Sequence, residues 1–155
     1  MKASDFAGIV SDCSSEELDA MYFTTVLEVS PEETVSPLAP GDFAFSLRFR
    51  GDVSGSFGLH LDRSTARSLA GNFLGEDDGE LPLSEVSEVV GELANMLCGS
   101  VMSRVEATHK FVLSHPEPVD APPDAGSEDI LVSRLDTDSG VITAWVVVEG
   151  AACLC

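Results

Sequence analysis

A carboxylate and a carboxamide stand three residues apart in the run Gly-Glu-Leu-Ala-Asn-Met-Leu-Cys-Gly, where Glu92 and Asn95 lie between Gly91 and Gly99. A carboxylate can grip a cation, and a carboxamide can donate a hydrogen bond to a water and accept one from it. The spacing predicts that both project from one side of a long helix over roughly Leu83 to Glu106. At about 100° per residue, Glu88, Glu92, Asn95, Gly99 and Glu106 fall in one narrow stripe, with Gly91 and Met102 flanking it. On the other side Val86, Val89, Val90, Leu93, Ala94, Leu97, Val101 and Val105 form a broad apolar band suited to packing on a sheet. The polar stripe is therefore expected to act on something outside the protein. Each glycine inside the helix costs about 1 kcal/mol relative to alanine, so Gly91 and Gly99 call for a reason, such as the close approach of another backbone.

The elements that must position this helix can be read along the chain. Ser14 or Ser15, followed by Glu16 and Glu17, reads as the start of a first helix through Leu18, Met21, Tyr22, Val26 and Leu27, ending near Glu28. Pro31 to Asp42 holds Pro31, Pro37, Pro40 and Gly41 and reads as irregular, with room for a short edge strand. Alternation at Phe43, Phe45, Leu47 and Phe49, then at Val53, Phe57, Leu59 and Leu61 after Gly51-Asp52, predicts a hairpin. Asp62 or Ser64 caps a second helix carrying Ala66, Leu69, Ala70, Phe73 and Leu74 and stopped by Gly75. Residues 76–80 read as a solvated turn and the long helix follows Pro82. A strand is expected near Phe111–Leu113, an exposed loop over His115–Ser127, and two closing strands near Ile130–Leu135 and Val141–Val148. This order predicts an α+β fold, a two-layer domain with long helices packed on one face of a largely antiparallel sheet.

The chain has 155 residues, enough for one domain over 1–155, with 1–14 and 150–155 expected as frayed termini. Its 27 acidic residues against 8 basic ones leave a formal charge of -19, which argues against nucleic acid and anionic membranes as partners. The simplest use of that acidity is a solvated surface; a basic partner is the sharper one. Met1 to Cys13 lacks the pattern of a signal peptide and no run reaches the ~20 apolar residues of a membrane span, so a cytoplasmic protein is expected. Cys13, Cys98, Cys153 and Cys155, like His60, His109 and His115, follow no metal-ligand spacing, and no metal site is predicted. Cys98 and Met102 are expected in the core, and Asn72 on a helix surface.

With these elements in place the chain resembles the CheC/CheX chemotaxis phosphatases, and most closely their single-site CheX-like members. The resemblance is carried by the hairpin Phe49-Arg50-Gly51-Asp52-Val53-Ser54-Gly55-Ser56, the Ala66–Leu74 helix, the Glu88-x3-Glu92-x2-Asn95 pattern with Gly99 beyond it, and His115-Pro116-Glu117-Pro118-Val119. It implies that the protein acts on the aspartyl phosphate of a CheY-like response-regulator receiver domain. Glu92 would grip the receiver's essential lysine, and Asn95 would enter beside the phosphate and orient a water. Glu88, Gly91 and Gly99 would lie against the partner, the glycines letting its backbone come close. The receiver would bring its own Mg²⁺, so that no cofactor of this protein's own is implied, and a homodimer formed through the sheets is expected. Phosphoryl transfer to water suits such residues, because it needs positioning and charge stabilisation more than a covalent nucleophile.

The chain departs from the family pattern in two places. Glu88 stands where Asp or Ser is usual, and the first helix offers Ser15-x3-Asp19-x2-Tyr22, in which tyrosine cannot replace the amide. One candidate site per chain follows, the first helix being a degenerate copy with a structural or dimer role. The same pattern also fits a module resembling the flagellar switch protein FliM, which binds partners without hydrolysis, or a purely structural dimerisation module.

Overall fold

In the computed structural model residues 2–51, 54–105, 111–121, 123 and 129–149 are described. Along the chain run α1 (Ala3–Tyr22), β1 (Val26–Glu32), β2 (Phe43–Arg50), β3 (Gly55–Leu61), α2 (Arg63–Leu74), a 3-10 turn at Asp78–Glu80, α3 (Leu83–Val105), β4 (Val112–Leu113), β5 (Glu117–Pro118), β6 (Asp129–Thr137) and β7 (Gly140–Val148). The seven strands form one sheet in the order β1-β6-β7-β3-β2-β4, with β5 also on β2, and every pairing is antiparallel. Three helices cover one face, which is the expected α+β arrangement.

Strand alternation decides which side chains meet the helices. Phe45, Leu47 and Phe49 of β2, Phe57, Leu59 and Leu61 of β3, and Ile142, Ala144, Val146 and Val148 of β7 share the main core with the apolar stripes of α1, α2 and α3. Asp62 caps α2 as expected, accepting a hydrogen bond from the Thr65 amide at 2.7 Å, and Gly75 closes the helix in the left-handed region at φ 68°. The opposite face carries a second, smaller cluster in which Val35 and Leu38, from the proline-rich segment after β1, cover Ala44, Val132, Trp145 and Val147. Asp42 fastens the end of that segment. One of its carboxylate oxygens accepts hydrogen bonds from His60 Nε2 at 2.7 Å and from the Ala39 amide at 2.9 Å. Burial works against the charge, but these two donors outweigh it and hold the carboxyl below the ordinary range.

Several expectations are corrected. α1 begins at Ala3, so residues 3–14 are helix and not a frayed end, and Phe6, Val10 and Cys13 are buried. Their four- and three-residue spacing continues the stripe of Leu18 backwards, a pattern that the cap-like Ser14-Ser15 pair conceals. Ser14 is in fact buried inside the helix, its hydroxyl donating to the Ser11 carbonyl at 3.4 Å. The helix also ends earlier, because Phe23 takes a left-handed conformation and the amides of Phe23 and Thr24 both bond to the Leu18 carbonyl. Val26 and Leu27 therefore belong to β1, paired with β6, and the edge strand lies upstream of where it was expected. Within the expected loop after α3, Glu117–Pro118 pairs with β2. Asp52, Val53, Glu106, His109, Cys153 and Cys155, with the rest of 150–155, lie outside the described residues.

Candidate functional site

α3 lies over β2 and β3, with α1 packed along one flank and α2 also against it. These neighbours leave a narrow open ridge. Glu88 and Glu92 are exposed on it, while Asn95 and Gly99 are half-buried. Glu92 and Asn95 thus sit one turn apart on the same side, as their spacing predicts. Among the described residues neither side chain makes a hydrogen bond or an ion pair, so both are free to meet a partner.

α1 supports this ridge, running antiparallel to α3. Glu17 accepts a hydrogen bond from the Ser100 hydroxyl, and Arg104 reaches Glu16 at 3.2 Å and Asp12 at 3.8 Å. Nearer the site the Tyr22 hydroxyl donates to Met96 Sδ at 3.9 Å, and the Tyr22 ring stacks on Phe73 with centroids 4.9 Å apart. Burial and the negative charge of Glu92 together push the Tyr22 phenol pKa up, which keeps it neutral. Burial likewise pushes Glu17 upward, opposed by the Ser100 hydrogen bond and by Arg104. The two core thiols are raised by burial as well, Cys13 to about 11 and Cys98 to about 12, and neither is poised as a nucleophile.

Gly91 does not belong to the exposed surface assigned to it by the resemblance. It is buried, and a Cβ there would meet the Phe45 ring at 3.4 Å, so it faces β2 and not an incoming partner. The helical wheel placed it beside the polar stripe; the sheet beneath α3 covers that flank too. Met102, on the same flank, is 1% exposed and belongs to the core as expected. Gly99 stays near the ridge, where the closest atom to a Cβ would be Leu113 Cδ1 at 3.8 Å. Tyr22, at the amide position of the first-helix pattern, is fully buried and serves as a support for the second helix. Asn72 is not a free surface residue, since its amide donates to Thr24 Oγ1 at 3.4 Å. Sequence reasoning missed Met96 as the contact of the Tyr22 hydroxyl on α3; its place one turn after Glu92 was the available clue. Among the described residues no group of three or more His, Cys, Asp or Glu is placed to hold a metal ion, and no helix is long and apolar enough to cross a membrane.

A family model for the chemotaxis phosphatase CheX matches residues 43–125, more than half of the chain and the stretch that holds the ridge. The chain belongs to the CheX family. Solved structures agree in fold. A CheC-like superfamily protein from Shewanella sp. PV-4 superposes with a TM-score of 0.75 at 18% identity, over 97% of this chain and 100% of that one. The chemotaxis protein CheX from Desulfovibrio desulfuricans gives 0.73 at 16% identity, over 94% and 99%. The CheX-CheY-BeF3-Mg²⁺ complex from Borrelia burgdorferi gives 0.68 at 18% identity, over 94% and 99%. No curated protein sequence matches the chain. Identities this low carry the shared fold and not the chemistry, which has to be argued from Glu92 and Asn95 themselves.

Proposed function

We propose that this protein hydrolyses the aspartyl phosphate of a CheY-like receiver domain, with Glu92 holding the receiver and Asn95 positioning the attacking water. What supports this is the pair itself, a carboxylate and a carboxamide one turn apart on an open ridge, unpartnered among the described residues, in a chain of the CheX family. Glu92 pairs with a lysine of the receiver and so fixes the register of docking, while Glu88 lies one turn away along the same ridge as a further acidic contact. The Asn95 amide accepts from the water and donates to the phosphoryl group, aligning them for in-line attack. The water oxygen bonds to phosphorus as the phosphorus–oxygen bond to the aspartate breaks; the carboxylate leaves unprotonated and both protons of the water stay with the phosphate as dihydrogen phosphate, which exchanges them with solvent. The receiver holds the Mg²⁺ that supplies charge stabilisation. Gly99, the one glycine at the ridge, is the place for close backbone approach. We also propose a homodimer, because β1 ends the sheet and its outer side carries no strand among the described residues.

The test is the loss of aspartyl phosphate from a phosphorylated receiver encoded beside this protein. Asn95→Ala is expected to slow dephosphorylation on the order of 100-fold while binding persists, the typical loss when one preorganised polar group is removed. Glu92→Ala is expected to weaken binding. Tight binding without any acceleration by the wild type would make the protein a non-catalytic receiver-binding module, and an Asn95→Ala variant as active as wild type would remove Asn95 from the mechanism.

A further inference from the structure

Three large apolar side chains stand in solvent where α1 and α2 end: Met21, 43% exposed, Phe23, 75%, and Leu74, 40%. These ends meet, because Tyr22 stacks on Phe73 and Asn72 donates to Thr24. They also border the ridge, through the Tyr22 hydroxyl on Met96 next to Asn95. Single exposed apolar residues are ordinary, but a group of them beside a candidate site is a contact surface in waiting.

Phe23 is the informative member. Its backbone is left-handed, at φ 47° and ψ 40°, and it is the single described residue other than glycine with positive φ. A bulky side chain in that conformation is disfavoured, and helices commonly end there on glycine. The two amides that close α1 on Leu18 would be served as well by glycine, and a ring that is 75% exposed contributes little to the core. The fold therefore gives no use for this aromatic side chain.

The surrounding charge says what could cover it. No Lys or Arg occurs between residues 3 and 47 or between 68 and 103, whereas Asp19, Glu28, Glu76, Asp77, Glu88 and Glu92 are all exposed. An anionic lipid surface would be repelled, and a protein surface with an apolar recess rimmed by Lys and Arg would be favoured.

We infer that Met21, Phe23 and Leu74 form an apolar anchor that docks the receiver domain beside Glu92 and Asn95, with Phe23 as its centre. This rests on the receiver reading proposed above. The receiver then binds through both terms at once, the charged contact at Glu92 setting orientation and the aromatic contact supplying residence time.

The deciding variant is Phe23→Gly, because glycine suits the backbone and deletes the ring alone. Binding to the receiver in its beryllofluoride–Mg²⁺ form would be measured by calorimetry for wild type, Phe23→Gly, Phe23→Leu and Glu92→Ala, with urea denaturation of each. The expected result is affinity lowered about 10-fold or more in Phe23→Gly, at equal or higher fold stability, and largely restored in Phe23→Leu. Unchanged affinity in Phe23→Gly alongside weaker binding in Glu92→Ala would overturn the anchor and leave the receiver reading standing. Failure of the wild type to bind would overturn both. A sedimentation shift of Phe23→Gly alone, without receiver, would mean that a second copy of this chain covers the patch, which also overturns the anchor.

Discussion

Gly91 and Gly99 make a matched pair for testing which side of α3 faces a partner. Alanine in place of either gains about 1 kcal/mol of helix propensity. At Gly91 the added methyl would lie 3.4 and 3.5 Å from Cε1 and Cδ1 of Phe45, ordinary contact distances in a buried place. Removing that methyl from water adds up to about 0.8 kcal/mol, so Gly91→Ala is expected to stabilise the fold by about 1–2 kcal/mol. At Gly99 the nearest atom is 3.8 Å away, and the gain is expected to be about 1 kcal/mol from propensity. In a chain of this size each kcal/mol raises Tm by about 2–4 °C. Urea denaturation and calorimetry give the stabilities, and titration with the charged receiver gives the affinities. Gly91→Ala should bind the receiver as wild type does, whereas Gly99→Ala should bind more weakly despite being more stable. A destabilised Gly91→Ala would refute the packing estimate at Phe45. Weaker receiver binding by Gly91→Ala at intact stability would refute the assignment of Gly91 to the sheet side, and unchanged binding by Gly99→Ala would remove close backbone approach from the docking scheme.

Other outcomes follow from packing and charge. Gly58→Ala would set a Cβ 2.1 Å from Cζ2 of Trp145, a ring 2% exposed with little room to move, so a loss of about 3 kcal/mol is expected in denaturant titration; a loss under ~1 kcal/mol would mean the second cluster repacks freely. Asp42→Ala removes hydrogen bonds to His60 and Ala39 and should cost about 1.5–3 kcal/mol. Because the folded carboxyl sits below its ordinary value of 3.8, this contribution is present above that pH and lost as pH falls through the folded value. Acid-induced exposure of Trp145, read by fluorescence, should be steeper in wild type than in Asp42→Ala, and identical profiles would refute the fastening role. Glu17 has the opposite sign. Its folded pKa lies above 4.5, so wild-type stability should fall as pH rises from that value, and Glu17→Gln should flatten the decline. An unchanged slope would show that Glu17 is not the titrating group.

The sequence by itself determined the parts whose physics is local. The alternation of Phe43–Leu61 made a hairpin wherever it was packed, Asp62 and Gly75 bounded α2 through their own backbone chemistry, and the 3.6-residue period of α3 put Glu88, Glu92 and Asn95 on one side. Such features depend on neighbours a few residues away, and they carried the family resemblance as well. Tertiary structure decided what lies beyond that range. A helical wheel has no neighbours, so it could not tell that the sheet would bury Gly91 and narrow the open ridge. Nor did it show where helix gives way to strand, since Val26 and Leu27 also continue the apolar spacing of α1; the left-handed turn at Phe23 and the pairing of Val26 with Thr137, more than 100 residues away, made this stretch strand, as its β-branched residues favour. The cover over Trp145 by Val35 and Leu38, and the meeting of two helix ends that sets Tyr22 on Phe73 and against Met96, likewise join residues distant in the chain. Contacts of that kind leave no local period to read, and it is they that turn an acidic helix face into a site with a defined border.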